Sequence, residues 1–366
     1  MIPAEQTLPE VLDAFDLGAP AVSAVRYGHG HINDTFLVRT RAETRFILQR
    51  MSPAAFKRPD RLMDNVIAVT EYLGRQIEAR GGDRSREALE FFRTRTGEPY
   101  CTDSRGGSWR LCRFVEGAVC HQAAEAPELF AASGRAFGRF QQMLKDYPAE
   151  TLYETIPNFH HTEDRLARLK AAVRADRLGR TAECRPEIDF VLARQADCSV
   201  ALDALRAGKL PLRVTHNDTK LNNVLMDEYS GEGVCVIDLD TVMPGLVLYD
   251  FGDAIRFGAN HCAEDETDLS KVSLDLDLFA AYTAAFLEGT GGVLTGTELE
   301  YLPWGARLMT LECGIRFLTD YLEGDVYFRT AREKHNLDRC RVQFKLLADM
   351  ERRWSDLEAI VGQYRT

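Results

Sequence analysis

One stretch constrains this chain more than any other: Val214 to Asp240, reading VTHNDTKLNNVLMDEYSGEGVCVIDLD. Asp218 is followed five residues on by Asn223, and an apolar run, Val234 to Ile237, then delivers a second aspartate, Asp238. Phosphoryl transfer needs this set of groups. One carboxylate orients the attacking hydroxyl, and an amide oxygen with a second carboxylate holds the magnesium that neutralises the phosphates. Asp and Asn are also common in turns. Chance does not readily place three such residues in this order between two strand-like runs.

The spacing H-x-D-x-x-x-x-N from His216 to Asn223 is that of a kinase catalytic loop, with Asn217 where an arginine is usual. Asp218 is the candidate catalytic base. Asn223 and Asp238 are the candidate magnesium ligands, oxygen donors suited to a hard cation. Asp240 is either a further metal group or a residue behind the ligands. His216 has two readings, a histidine bracing the loop or a group touching substrate. Downstream, Tyr249-Asp250-Phe251-Gly252-Asp253 contains the letters DFG. Asp250 comes too late to be the metal aspartate, because Asp238 already ends a strand a short hairpin away from Asn223. Asp250 is expected to hold the catalytic loop by accepting hydrogen bonds.

The bulk numbers narrow the class. A chain of 366 residues can bury a large core in two lobes. A net charge of −11 with no basic block argues against a nucleic-acid partner. Nine cysteines with no C-x-x-C pair predict reduced thiols and a cytoplasmic protein. The N-terminal segment has no signal-peptide run, and no window approaches eighteen apolar residues, so no membrane partner is expected.

The organisation is expected to be α+β, a two-lobed protein-kinase-like fold. Residues 8–17 read as a leading helix, and residues 21–51 as three strands. Leu62, Val66, Val69, Leu73 and Ile77 fall at helical spacing over 59–79. EPYCT and SWRLCRFV add two strands. Beyond residue 128 helices dominate, at 128–144, 161–178, 187–207, 275–288, 301–322 and 335–362, with short strands at 212–240. The expected division is residues 1–116, a small antiparallel β-sheet lobe that binds nucleotide, and residues 117–366, a larger, mostly helical lobe carrying catalysis and substrate.

Tyr27-Gly28-His29-Gly30-His31-Ile32-Asn33, set between two strands, is the candidate phosphate cradle. Gly28 and Gly30 let backbone N–H groups approach phosphate closely, and Asn33 stands where G-x-G-x-x-G has its third glycine. The third strand, Phe46-Ile47-Leu48-Gln49-Arg50, should carry the cation for the α- and β-phosphates. Register favours Gln49 and charge favours Arg50. The two point to opposite faces, so only one can reach the nucleotide. Arg113–Glu116 falls where an adenine-binding hinge would be.

HNDTKLNN followed by VIDLDTVMPGLVLYDFGDAIRFG resembles the aminoglycoside-phosphotransferase/choline-kinase-like superfamily, and within it the bacterial N-acetylhexosamine 1-kinases. The resemblance extends over HGHINDTF, FILQRMSPAAFK, LECGIRFLTDYLEGDVYF and HNLDRCRVQFKLLADME. It implies a kinase that uses ATP and Mg2+ to phosphorylate the anomeric 1-hydroxyl of GlcNAc or GalNAc, a small-molecule sugar substrate. Position by position it implies Asp218 as base, Asn223 and Asp238 as metal positions, and Arg316 and Tyr327 as sugar contacts. A kinase for another small alcohol (choline, homoserine, an aminoglycoside or another amino sugar) is the alternative. A nucleotide-binding pseudokinase is the non-enzymatic one, favoured only by the weakened glycine loop and Gln49.

Overall fold

The computed structural model describes residues 4–28, 33–122 and 126–365. The N-terminal part is built on an antiparallel sheet of β1 (Ala21–Arg26), β2 (Asp34–Thr40), β3 (Arg45–Arg50), β4 (Phe91–Phe92), β5 (Cys101–Thr102) and β6 (Ser108–Arg113), in the order β1-β2-β3-β6-β4 with β5 also on β6. Alternation decides its faces. Phe36 and Val38, Phe46 and Leu48, and Trp109 and Leu111 turn to one side, where they bury against Leu8, Val11 and Phe15 of and beside the short helix α1 (Leu8–Asp13). The intervening residues Gln49, Arg110 and Cys112 therefore belong to the opposite face, toward the second part of the chain.

Helix α2 (Pro59–Ala79) follows its predicted bounds, and α3 (Arg84–Glu87) is a single turn beyond it. The stripe Leu62, Val66, Val69, Leu73 and Ile77 packs on Phe140, Leu144, Val214, Leu239 and Val242, so α2 joins the two parts. The C-terminal part is helical: α4 (Pro127–Met143), α5 (Thr162–Ala175), α6 (Arg185–Leu192), α7 (Val200–Arg206), α8 (Val247–Gly258), α9 (Leu276–Thr290), α10 (Gly296–Glu323), α11 (His335–Arg352) and α12 (Trp354–Gly362). Its core gathers α4, α8, α9 and α10 around Phe251, Phe279, Tyr282 and Phe286. Gly252 marks the tightest crossing, because a Cβ there would lie 2.1 Å from the carbonyl oxygen of Gly305 on α10.

Three helix expectations are corrected. The single helix expected over 187–207 is broken, since a 3-10 turn at Gln195–Ser199 separates α6 from α7. There Asp197 leaves the helical line to meet Arg307 at 2.6 Å while Cys198 turns into the core. The run expected over 335–362 is interrupted at Arg353, where Arg352 and Arg353 both pair with Asp349. Helix α10 begins at Gly296, earlier than the predicted 301, because Thr295 and Glu298 form a capping box.

Short strands complete the second part. β7 (Ala118–Cys120), β9 (Val224–Asp227) and β10 (Gly233–Val236) form one sheet in the order β10-β9-β7, and β8 (Arg213–Thr215) pairs with β11 (Met243–Gly245). No helix among the described residues is long and apolar enough to cross a membrane.

Candidate active site

Strand pairing assembles the site. Val224 lies opposite Val236 in the β9–β10 hairpin, so Asn223, just before β9, sits beside Ile237, whose N–H donates to the Asn223 carbonyl at 2.9 Å. Asp238 follows immediately. The β8–β11 pair brings the loop after Thr215 to the same end, where Asn217 Nδ2 donates to the Thr241 carbonyl at 2.8 Å and Thr241 Oγ1 to the His216 carbonyl at 2.7 Å. Asn217 and Asp238 both adopt left-handed backbone, φ +66° and +57°. Asn and Asp tolerate that region better than most residues.

Asp218 is held on both carboxylate oxygens. Lys220 Nζ lies 2.8 Å from Oδ1, and Asn223 Nδ2 donates to Oδ2 at 3.0 Å and to the Asp218 carbonyl at 2.8 Å. Desolvation pushes its pKa up, but Lys220, with help from Arg256, more than reverses this and leaves it below the usual carboxylate value. Lys220 is raised in turn, chiefly by Asp218. An ionised, oriented carboxylate results. Because the Asn223 amide nitrogen is spent on Asp218, its amide oxygen is the part left for a cation.

Asp238 behaves oppositely. Its side chain opens onto the cleft, yet desolvation on the protein side and repulsion from Asp240 and Asp218 raise it to about 7. A site that strains a carboxylate in this way suits a divalent cation. No three or more histidine, cysteine or acidic side chains among the described residues form a metal cage by themselves. The donors therefore fit a magnesium-like ion that keeps water or phosphate oxygens. A carboxyl whose folded pKa is raised favours the folded state when protonated, so its contribution is lost as pH climbs from about 4 to about 7. In EDTA, Asp238→Asn is expected to melt above wild type at pH 8, by roughly 1 kcal/mol after discounting for cleft water, and to match it near pH 4. Thermal melts at the two pH values check this; an equal offset at both would defeat it.

His216 is fully buried. Its Nδ1 accepts from the Asp218 N–H at 3.3 Å, so Nε2 carries the hydrogen and donates to the Ile237 carbonyl at 2.9 Å. Phe137 and Phe140 pack edge-on against its ring. With both nitrogens engaged it braces the loop, and the substrate-contact reading is corrected.

The DFG letters are structural. Asp250, buried on α8, accepts from the backbone N–H groups of His216 at 3.0 Å and Asn217 at 2.7 Å, and from Gln141 Nε2 at 2.7 Å. Burial raises its pKa. Phe251 is core, and Asp253 accepts from the Thr219 N–H at 3.0 Å.

In the N-terminal part, Gly28 has φ +76°, and Gly30 lies outside the described residues. Asn33 reaches across the cleft, its Nδ2 donating to Asp240 Oδ2 at 2.7 Å while its Oδ1 accepts from the Ser52 N–H at 3.0 Å. Gln49 is directly opposite Arg110 in the β3–β6 register, and its Oε1 accepts from Arg110 Nε at 3.0 Å and Nη2 at 2.8 Å. Arg110 Nη1 lies 2.5 Å from Asp240 Oδ1, both side chains almost wholly buried. Arg50 goes the other way, toward Gly107. Sequence reasoning missed Arg110. Its signal was an arginine inside the apolar strand SWRLCR, on the face opposite Trp109 and Leu111.

On α10, Arg316 is ringed by Phe159, Tyr327 and Phe328, with centroids 5.4, 5.9 and 5.4 Å from its guanidinium carbon. Tyr327 is two-thirds exposed and its N–H is anchored on Asp320. The cage is linked to the catalytic loop. Phe159 packs on His160, whose Nε2 bonds the Asn217 carbonyl at 3.2 Å and whose Nδ1 bonds Glu312 at 2.8 Å. Arg165 stands close by, lowered by burial and by repulsion from Arg316.

The family model described as "Phosphotransferase enzyme family" matches residues 23–289. Among solved structures, a microcompartment-associated aminopropanol kinase superposes with TM-score 0.59 at 16% identity, covering 96% of this chain and 98% of its own. The amicoumacin kinase hAmiN, in complex with AMP-PNP, Ca2+ and Ami, gives 0.58 at 16%, with 94% and 93% covered. A choline/ethanolamine kinase family protein from Mesorhizobium loti gives 0.55 at 17%, with 98% and 99% covered. At these identities the likeness is one of fold, the α+β two-lobed kinase-like architecture.

Proposed function

This chain belongs to the phosphotransferase enzyme family, and on that premise we propose that it uses ATP and Mg2+ to phosphorylate the anomeric 1-hydroxyl of an N-acetylhexosamine, GlcNAc or GalNAc. The nucleotide would lie between lobes divided at residues 116 and 117, on the side of the paired strands β1 and β2. The Asn223 amide oxygen and the Asp238 carboxylate would hold the metal, which would supply charge neutralisation of the phosphates.

The observation that carries the reaction is the fixed Asp218 carboxylate. A carboxylate with a lowered pKa acts first as an acceptor, aligning the sugar hydroxyl in line with the γ-phosphorus. The new O–P bond forms as the bond to ADP breaks, and the hydroxyl proton, made acidic by the transfer, passes to Asp218. Most of the acceleration comes from positioning and preorganised charge.

The caged Arg316, connected to Asn217 through Phe159 and His160, supports a sugar as acceptor. Arg316 can donate to hydroxyl or acetamide oxygens, and Tyr327 offers a flat face. The nearby Arg165 adds a second positive charge beside Arg316, which disfavours a cationic acceptor such as choline. An ADP-release screen across GlcNAc, GalNAc, glucosamine, MurNAc, choline and homoserine is expected to give turnover with the N-acetylhexosamines at a kcat/KM at least about tenfold above the aminoalcohols. Turnover of choline alone would sink the sugar assignment and leave the phosphotransferase assignment standing.

A further inference from the structure

A kinase N-lobe needs a cation facing the α- and β-phosphates, and the strand that ordinarily carries it here presents glutamine. The charge has moved one strand over. Gln49 and Arg110 are direct antiparallel partners, so their side chains leave the same face of the sheet. Gln49 is itself oriented, its Nε2 donating to Thr35 Oγ1 at 3.2 Å, which leaves Oε1 to hold the guanidinium edge of Arg110.

What Arg110 faces is unusual. Its Nη1 lies 2.5 Å from Asp240 Oδ1, a charge pair with both side chains almost wholly buried. A buried pair carries the desolvation of both charges, which its mutual attraction has to offset. Asp240 is two residues beyond Asp238, and its other oxygen is tied to Asn33 at the end of the glycine hairpin. The buried pair therefore lies between Asn33 and the candidate metal position.

We propose that Arg110, and not Gln49 or Arg50, is the cation that meets the α- and β-phosphates of the nucleotide, and that Asp240 occupies its guanidinium until the nucleotide arrives. The guanidinium fork suits two phosphate oxygens, and Gln49 keeps it aimed when Asp240 is displaced. This rests on the kinase reading above.

The experiment measures binding, not turnover. Titration calorimetry of the full-length protein in EDTA, with ADP and with adenosine separately, keeps any metal effect of Asp240 out of the result. Asp240→Asn removes the competing carboxylate and is expected to tighten ADP roughly three- to tenfold while leaving adenosine unchanged. Adding Arg110→Gln in that background is expected to weaken ADP by about tenfold or more relative to Asp240→Asn, again sparing adenosine. The double variant replaces a buried charge pair by two neutral groups, so its fold is expected to survive, and its melting temperature is recorded alongside. ADP affinity unchanged across the three proteins, or ADP and adenosine falling together, overturns the assignment of Arg110. Wild type that binds neither ADP nor adenosine, with or without Mg2+, overturns the kinase reading and this inference with it.

Discussion

Asp218→Asn is expected to leave the protein folded and to lower kcat by roughly 10²- to 10⁴-fold, the usual contribution of a positioned acid–base group. The native carboxylate serves Lys220 with Oδ1 and Asn223 with Oδ2. An amide has one acceptor oxygen and can serve only one of them, so the variant loses both its capacity for the proton and its orientation. Lys220 is a third exposed and remains solvated, which keeps the cost in stability small. Steady-state kinetics and a thermal melt on the purified variant decide the matter; wild-type turnover would falsify the role given to Asp218.

Asp250→Ala is expected to produce the largest loss of stability, about 3–5 kcal/mol, with turnover falling as the loop loosens. Removing this carboxylate strands the N–H groups of His216 and Asn217 and the amide of Gln141, all buried. Asp250→Asn is a milder control, since one oxygen remains to accept. Urea denaturation measures the loss. A variant of unchanged stability whose magnesium dependence alone is altered would return Asp250 to the metal role suggested by the DFG letters.

Local chemistry was well legible in the sequence. The candidate loop could be read because Asp218 closely precedes, and Asn223 and Asp238 flank, one short hairpin whose apolar runs and turn are visible as letters. Helix α2 was equally plain, since a 3.6-residue stripe is a local pattern. Periodicity failed where tertiary contacts overrode it. Asp197 is drawn out of the 187–207 run by Arg307, more than a hundred residues away. His216 also needed the fold, because the sequence could not show that both ring nitrogens are already taken.

By itself the sequence carried the expectation of magnesium-assisted phosphoryl transfer, and put Asp238 ahead of the Asp of DFG as candidate metal aspartate. Only the tertiary structure brought Arg110 forward as the proposed cation for the nucleotide. Arg110 is 61 residues from Gln49, yet strand register puts the two face to face and brings the guanidinium to Asp240. Spacing along a chain encodes neighbours within a hairpin or a helix turn. Partners across a sheet and a cleft are set by pairing and packing, which no local pattern records.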